Sequence, residues 1–186
     1  MRLMGGLGNQ LFQYALGRAI ELSCLANVSF DTSFFDTQNK RRYMLDSFNT
    51  KVKMDNSFLR IFKKEKHITE NNLEYIPSLF SDIKTSGRFY LDGYWQTEKY
   101  FQHIRKELLS EITLTNSYSR DAESISQDIA ASSTSVAVHV RRGDYITDPA
   151  ANTILGICSS DYYQRAIETI QQKVRSPHFF IFSDDI

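Results

Sequence analysis

With 186 residues, 41% of them hydrophobic and 24% charged, the chain is globular and long enough for one large domain or two small ones. Its 22 basic and 22 acidic residues balance to zero formal charge, so no global field draws it to nucleic acid or to an anionic membrane surface, and a phosphate would have to be gripped locally. Cys24 and Cys158 lie far apart and suit reduced thiols better than a disulfide framework or a zinc site, and no apolar stretch approaches the roughly 20 residues of a membrane helix.

In chain order, residues 1–4 read as a strand end, and Gly5-Gly6-Leu7-Gly8-Asn9-Gln10 as a glycine-rich turn running straight into a helix. Phe12, Ala15, Leu16, Ala19 and Leu22 recur there at helical spacing. Such a loop lets a ligand approach the backbone, and the helix N-terminus favours a phosphate or a sugar hydroxyl. The spacing matches neither G-x-G-x-x-G nor a Walker loop, and as an isolated motif it is more often a tight turn.

Val28-Ser29-Phe30-Asp31 reads as a second strand. Residues 32–87 carry one or two helices, and the run Lys63-Lys64-Glu65-Lys66 reads as a solvated face. Strand character resumes at Arg88 and ends in the aromatics Tyr94 and Trp95. These two are sugar-stacking candidates, although large aromatics more often supply core burial. A helix follows with Phe101, Ile104, Leu108 and Ile112 on one stripe. The stretch 114–135 is rich in Ser, Thr and Asn, with a short helical pattern at Ala122, Ile125 and Ile129, and a domain boundary is expected near Thr134.

Beyond it the periodicity becomes that of a strand over 135–140, a loop through Pro149 and Gly156, a helix capped by Ser160 with Tyr163, Ile167, Ile170 and Val174 on its buried face, and a strand His178-Phe179-Phe180-Ile181-Phe182. This is a βαβ unit. Its first strand delivers His139-Val140-Arg141-Arg142-Gly143-Asp144-Tyr145 to its C-terminal end, the place where open α/β sheets bind ligands. Two guanidinium forks suit a pyrophosphate. The plainer reading is that the chain has simply reached solvent. Arg142-Gly143-Asp144 also spells a cell-adhesion tripeptide, but no signal peptide or disulfide pattern supports secretion.

Ser183, Asp184 and Asp185 stand at the end of the second strand, where a carboxylate commonly reads ribose hydroxyls. Capping the next helix is their plainer role. A divalent-metal site at Asp184 and Asp185 is the rival, but the two arginines already supply neutralising charge, so no metal ligand is expected. Two strands leave an uncovered sheet edge, which reads as a fragment or as a chain lacking its partner segment.

Together, residues 5–15, Leu91-Asp92-Gly93-Tyr94-Trp95-Gln96, residues 139–145 and Phe182-Ser183-Asp184-Asp185-Ile186 resemble the bacterial α-1,2-fucosyltransferases of glycosyltransferase family 11. The resemblance implies an α/β fold of two Rossmann-like domains facing a cleft (GT-B type). The first would cover residues 1–133 on the acceptor side, and 134–186 would begin an incomplete donor-binding domain. It implies a galactoside 2-α-L-fucosyltransferase, with inverting transfer of L-fucose from GDP-β-L-fucose to the 2-hydroxyl of a terminal galactose and no metal or other cofactor. The fragment alone would be inactive. The alternative is a non-catalytic truncated relative that binds a nucleotide or carbohydrate.

By that resemblance Arg141 and Arg142 bind the pyrophosphate, Gly8 and Asn9 meet donor or acceptor hydroxyls, and Ser183, Asp184 and Asp185 hold the nucleoside. The base that takes the proton from the attacking hydroxyl is Asp144, His139 or a residue of the missing part. The implied partners are GDP-fucose and a galactose-terminated oligosaccharide, with no nucleic acid and no integral membrane segment. The absence of a signal, an anchor or a disulfide pattern in the sequence points to the cytoplasm, either free or peripheral to the inner membrane where surface glycans are assembled.

Overall fold

The computed structural model describes residues 1–37, 40–55, 65–85, 87–143, 156 and 158–184. The chain divides into two compact units, Met1–Ser117 and Tyr118–Ile186. The division falls within the polar stretch 114–135, at Ser117 rather than near Thr134, and the helix expected around Ile125 lies in the second unit.

In the first unit the glycine loop opens helix α1 (Leu7–Cys24) directly. Short helices α2 (Ser33–Asp36) and α3 (Leu79–Lys84) follow, and two 3-10 turns lead into α4 (Arg105–Glu111). Strands β1 (Lys66–Thr69) and β2 (Phe89–Asp92) pair in parallel. Backbone hydrogen bonds extend this pair: Arg2 N donates to Leu91 O, Leu3 N to Asp31 O and Phe30 N to Lys53 O. Among the described residues, five extended segments therefore lie in the order 53–55, 30–31, 1–3, β2, β1, with parallel bridges Arg2–Asp31 and Phe30–Met54.

Two of these segments escape the sequence pattern. Lys66, expected on a solvated face, is exposed, but it lies with His67 in β1, a strand the sequence pattern does not show. Both are exposed, and among the described residues β1 pairs with β2 alone, so charge here blunts a sheet edge. Residues 53–55 pair through backbone alone, which their side chains do not advertise.

Leu3, Leu16, Phe30, Leu45, Leu79 and Trp95 fill the core, each essentially inaccessible to water, and each contributes about 1.5–3 kcal/mol by burial. Trp95 is thus a core residue, in edge contact with Tyr100, while Tyr94 remains partly exposed.

A charge network ties α1 to α4. The Glu111 carboxylate accepts from Arg18 Nε at 2.9 Å and Nη2 at 2.8 Å, from the Tyr14 hydroxyl, and meets Lys51 Nζ at 3.2 Å. Burial alone would raise the Glu111 pKa, but these bonds outweigh it and hold the carboxyl below its usual range. Burial and the neighbouring carboxylate together push the Tyr14 hydroxyl up.

The second unit holds α5 (Arg120–Ala131), β3 (Ser135–Val140), α6 (Ser160–Lys173) and β4 (His178–Ser183). The α6 cap is Ser159, one residue before the expected Ser160, and its hydroxyl accepts from Tyr162 N. Strands β3 and β4 run parallel with Val136 opposite Phe179 and Val140 opposite Ser183, as the βαβ pattern requires. Ile181 and Phe182 are exposed, and none of the unit's described residues is buried. Among the described residues of both units, no helix is long and apolar enough to cross a membrane.

Candidate functional site

In the second unit the register carries Val140 and Ser183 to the same end of the strand pair, so the residues after each strand meet there. Arg142 N donates to Asp184 Oδ1 at 2.8 Å, and Gly143 N donates to the same oxygen at 3.1 Å. Asp184 is therefore a clamp on the arginine loop's backbone. The Arg142 amide, then the Gly143 amide, and more weakly the Arg141 charge, hold its carboxyl below the usual aspartate range. Gly143 completes the arrangement, since a Cβ at that position would lie 2.9 Å from Asp184 Oδ2.

Arg141 and Arg142 are exposed. Arg142 also borders a cavity of about 550 Å³ with Val140, Cys158, Ser160 and Tyr163. His139 sits on β3 opposite Phe182, exposed and on the face away from the half-buried Val138 and Val140. Asp144 and Asp185 lie outside the described residues. Among the described residues, no three His, Cys, Asp or Glu side chains gather as a metal site would require.

The first unit has its own strand-end face. The chain leaves residues 1–3 through α1 toward residues 30–31, whereas β2 lies on the other flank, so the loops after residues 1–4 and after β2 diverge at a topological switch point, where open α/β sheets take ligands. Two buried glutamines of α1 bind these loops together. Gln13 Oε1 accepts from Met4 N at 2.9 Å while its Nε2 donates to Gly93 O at 3.1 Å. Gln10 Nε2 donates to Gly5 O at 3.1 Å and Arg42 O at 2.9 Å, and its Oε1 accepts from Met44 N.

Glu70 then pins the β2 loop from the other side, its carboxylate accepting from Tyr94 N at 2.7 Å and Trp95 N at 3.0 Å. Gln96 Nε2 donates to Asn9 Oδ1 at 2.5 Å, so the glycine-loop motif and the Asp92–Gln96 motif meet in space. Gly8 is exposed, and a Cβ there would meet nothing within 4 Å. Asp31 stands where dinucleotide folds place a ribose-reading carboxylate. It is buried, accepting from the Tyr90 hydroxyl at 2.6 Å and from Ser33 N at 3.0 Å.

The positioning residues Gln10, Gln13, Glu70 and Gln96 are not apparent as such from sequence reading. A signal existed for the two in α1: residues 7–17 contain no charge, and a glutamine in an otherwise apolar helical run has to satisfy its amide inside the protein. Glu70 and Gln96 carry no comparable pattern.

Each unit is thus a parallel α/β fold whose strand ends carry a loop fixed by polar side chains, which defines the class: a two-unit α/β protein. The model of glycosyl transferase family 11 matches residues 1–186, and the chain belongs to that family. An alpha-1,2-colitosyltransferase of Escherichia coli is 33% identical over 206 residues, covering 100% of this chain and 68% of that protein. The O-antigen biosynthesis glycosyltransferase WbnK of Escherichia coli is 28% identical, with 99% of this chain and 72% of the relative aligned. A mouse protein, galactoside 2-alpha-L-fucosyltransferase Sec1 of Mus musculus, is 26% identical across 100% of this chain and 49% of its own length. No solved structure matches the chain.

Proposed function

We propose that this chain belongs to an inverting α-1,2-glycosyltransferase of GT-B type that moves a 6-deoxy sugar from a GDP donor to the 2-hydroxyl of a terminal galactose. The observation that carries the reading is the β3–β4 register, which delivers Arg141, Arg142 and Asp184 to one strand end with the loop backbone already fixed. As the bond from anomeric carbon to phosphate oxygen lengthens, negative charge grows on the departing diphosphate. Arginines held there stabilise the transition state more than the ground state, so Arg141→Ala lowers kcat as well as raising KM.

Asp184, committed to the loop amides, acts on the donor through the loop it holds. Ser183 and Asp185 complete the nucleoside side of the reading, and the proton of the attacking hydroxyl goes to His139, to Asp144 or to a base outside residues 1–186. The two arginines supply the charge that a divalent cation would otherwise bring, so donor binding is independent of metal. In the first unit the occupied Asp31 carboxylate disfavours a second nucleotide and leaves the face around Gly8 and Asn9 for the acceptor.

L-fucose is the donor sugar favoured by the sequence motifs and by the name of the mouse relative. Colitose, which is L-fucose without its 3-hydroxyl, is the second reading, favoured by the 33% identity to the colitosyltransferase. The test is calorimetric titration of the chain with GDP in EDTA, with ADP and Arg141→Ala as controls. Saturable binding that prefers GDP and disappears in the variant is the expected result. Equal binding of ADP, or unchanged binding by Arg141→Ala, overturns the donor site. Competition between GDP-fucose and GDP-colitose then separates the two donors.

A further inference from the structure

We propose that Gln96 is a positioning residue for acceptor recognition, fixing the Asn9 amide so that the pair presents one hydrogen-bond donor and one acceptor side by side to a galactose hydroxyl. The inference rests on the transferase reading above.

An exposed glutamine ordinarily keeps its rotamer freedom, and ordering it costs about 1–2 kcal/mol. Gln96 is nevertheless drawn onto Asn9, 87 residues away in sequence, with Nε2 at 2.5 Å from Asn9 Oδ1. The other end of the Asn9 amide is also confined. A Cβ on Gly5 would lie 2.5 Å from Asn9 Nδ2, so Asn9 takes this position only because residue 5 has no side chain. Gly5 also sits at φ +79°, where glycine alone is at ease.

The backbone before Gln96 is strained to aim it. Trp95 has φ +58°, an outlier for a bulky aromatic that persists only when its surroundings hold it. They do: the Glu70 carboxylate grips the amides of Tyr94 and Trp95, and the indole is fully buried.

Each primary amide has two N–H donors and one carbonyl acceptor. The pair spends one Gln96 N–H and one Asn9 lone pair on each other, which leaves Asn9 Nδ2 as a donor beside Gln96 Oε1 as an acceptor. A hydroxyl both accepts and donates and satisfies the two together. The ionised pyrophosphate of a nucleotide sugar only accepts, and would face the Gln96 carbonyl oxygen unfavourably. The neighbouring Asp92 carboxylate is neutralised by Arg2 at 2.9 Å, and a nearby cation is Arg41, whose Nη1 lies 3.9 Å from where a Cβ on Gly6 would stand.

The test follows the side-chain amide signals of Asn9 and Gln96 by ¹⁵N NMR while the chain is titrated with methyl β-galactoside, GDP-fucose or inorganic phosphate. Galactoside is expected to shift both amide pairs saturably. In Gln96→Leu its affinity falls by about fivefold, the effect of one lost neutral hydrogen bond, and the Asn9 pair stops responding. Gln96→Glu, which cannot donate to Asn9 Oδ1, behaves the same way. Unchanged Trp95 fluorescence shows both variants folded.

Unaltered galactoside binding and an unaltered Asn9 response in the variants overturn the proposal. So does a shift of the pair by GDP-fucose or phosphate in place of galactoside. No galactoside shift while Arg141-dependent GDP binding persists overturns this inference alone. Loss of both overturns the transferase reading beneath it.

Discussion

Replacing Gln13 with methionine isolates the contribution of one buried amide to the first unit. Methionine keeps the length and nearly the volume of the side chain, so no cavity opens and the apolar contacts of α1 survive. What disappears is the acceptor for Met4 N at 2.9 Å and the donor to Gly93 O at 3.1 Å. Gln13 is fully buried, so water does not replace either partner. A stranded buried polar group costs about 1–3 kcal/mol. The two together, one of them only partly buried, come to about 2–4 kcal/mol. The sole tryptophan lies in the core of this unit, so its fluorescence during urea unfolding reports on it selectively. With a denaturant slope of about 1–3 kcal/mol/M, the midpoint should fall by about 1–2 M at constant slope. A midpoint indistinguishable from the parent's would mean that the loops hold themselves, and that the glutamine is incidental.

Glu111→Gln removes one of the two carboxylates paired with the buried Arg18, the other being Glu21, and should cost about 2–3 kcal/mol in the same urea assay. The folded pKa of Glu111 lies below its ordinary 4.5, so its stabilisation is complete above that value and is lost as pH falls through the folded pKa. The parent should lose stability in acid more steeply than the variant. For Asp184 the depressed pKa predicts that the amide signals of Arg142 and Gly143 titrate with a midpoint below the ordinary 3.8, and that Asp184→Asn abolishes the titration. A midpoint at or above 3.8 would remove the clamp from the argument. Gly5→Ala should cost about 1–2 kcal/mol for its left-handed backbone alone and displace the Asn9 amide, visible as a changed Asn9 side-chain signal.

Where side chains advertise their surroundings, sequence reading reaches the structure. The Val136-Ala137-Val138 run and the apolar run Phe179–Phe182 declare two strands, and a helix between them makes the pairing parallel. The same logic finds α1 from its apolar spacing. It fails at residues 53–55 and at Lys66 and His67, where pairing is carried by backbone and the side chains face water. The delivery of Arg141 and Arg142 to a strand end is legible, because the strand pattern over residues 135–140 places them there. The function of Asp184 is not, because a carboxylate at a strand end serves a ribose or a backbone amide equally well, and only the 2.8 Å contact to Arg142 N distinguishes them. Tyr94 and Trp95 are adjacent aromatics with opposite fates, one partly exposed and one buried. The left-handed backbone at Trp95 that separates them leaves no trace in composition.

Gln13 spans the loops that follow residues 1–4 and β2, and Gln96 ties the second of these back to Asn9. Neither loop can swing without tearing bonds from the other, so this face behaves as one stiff plate rather than as two fingers. A ligand meeting a stiff plate spends little free energy on ordering it, and the discrimination it encounters is that of a fixed template. If this face takes the acceptor, as proposed above, adaptation to different glycans has to come from residues at the rim of the plate, which makes the rim the place to alter acceptor choice and the plate the place to leave untouched.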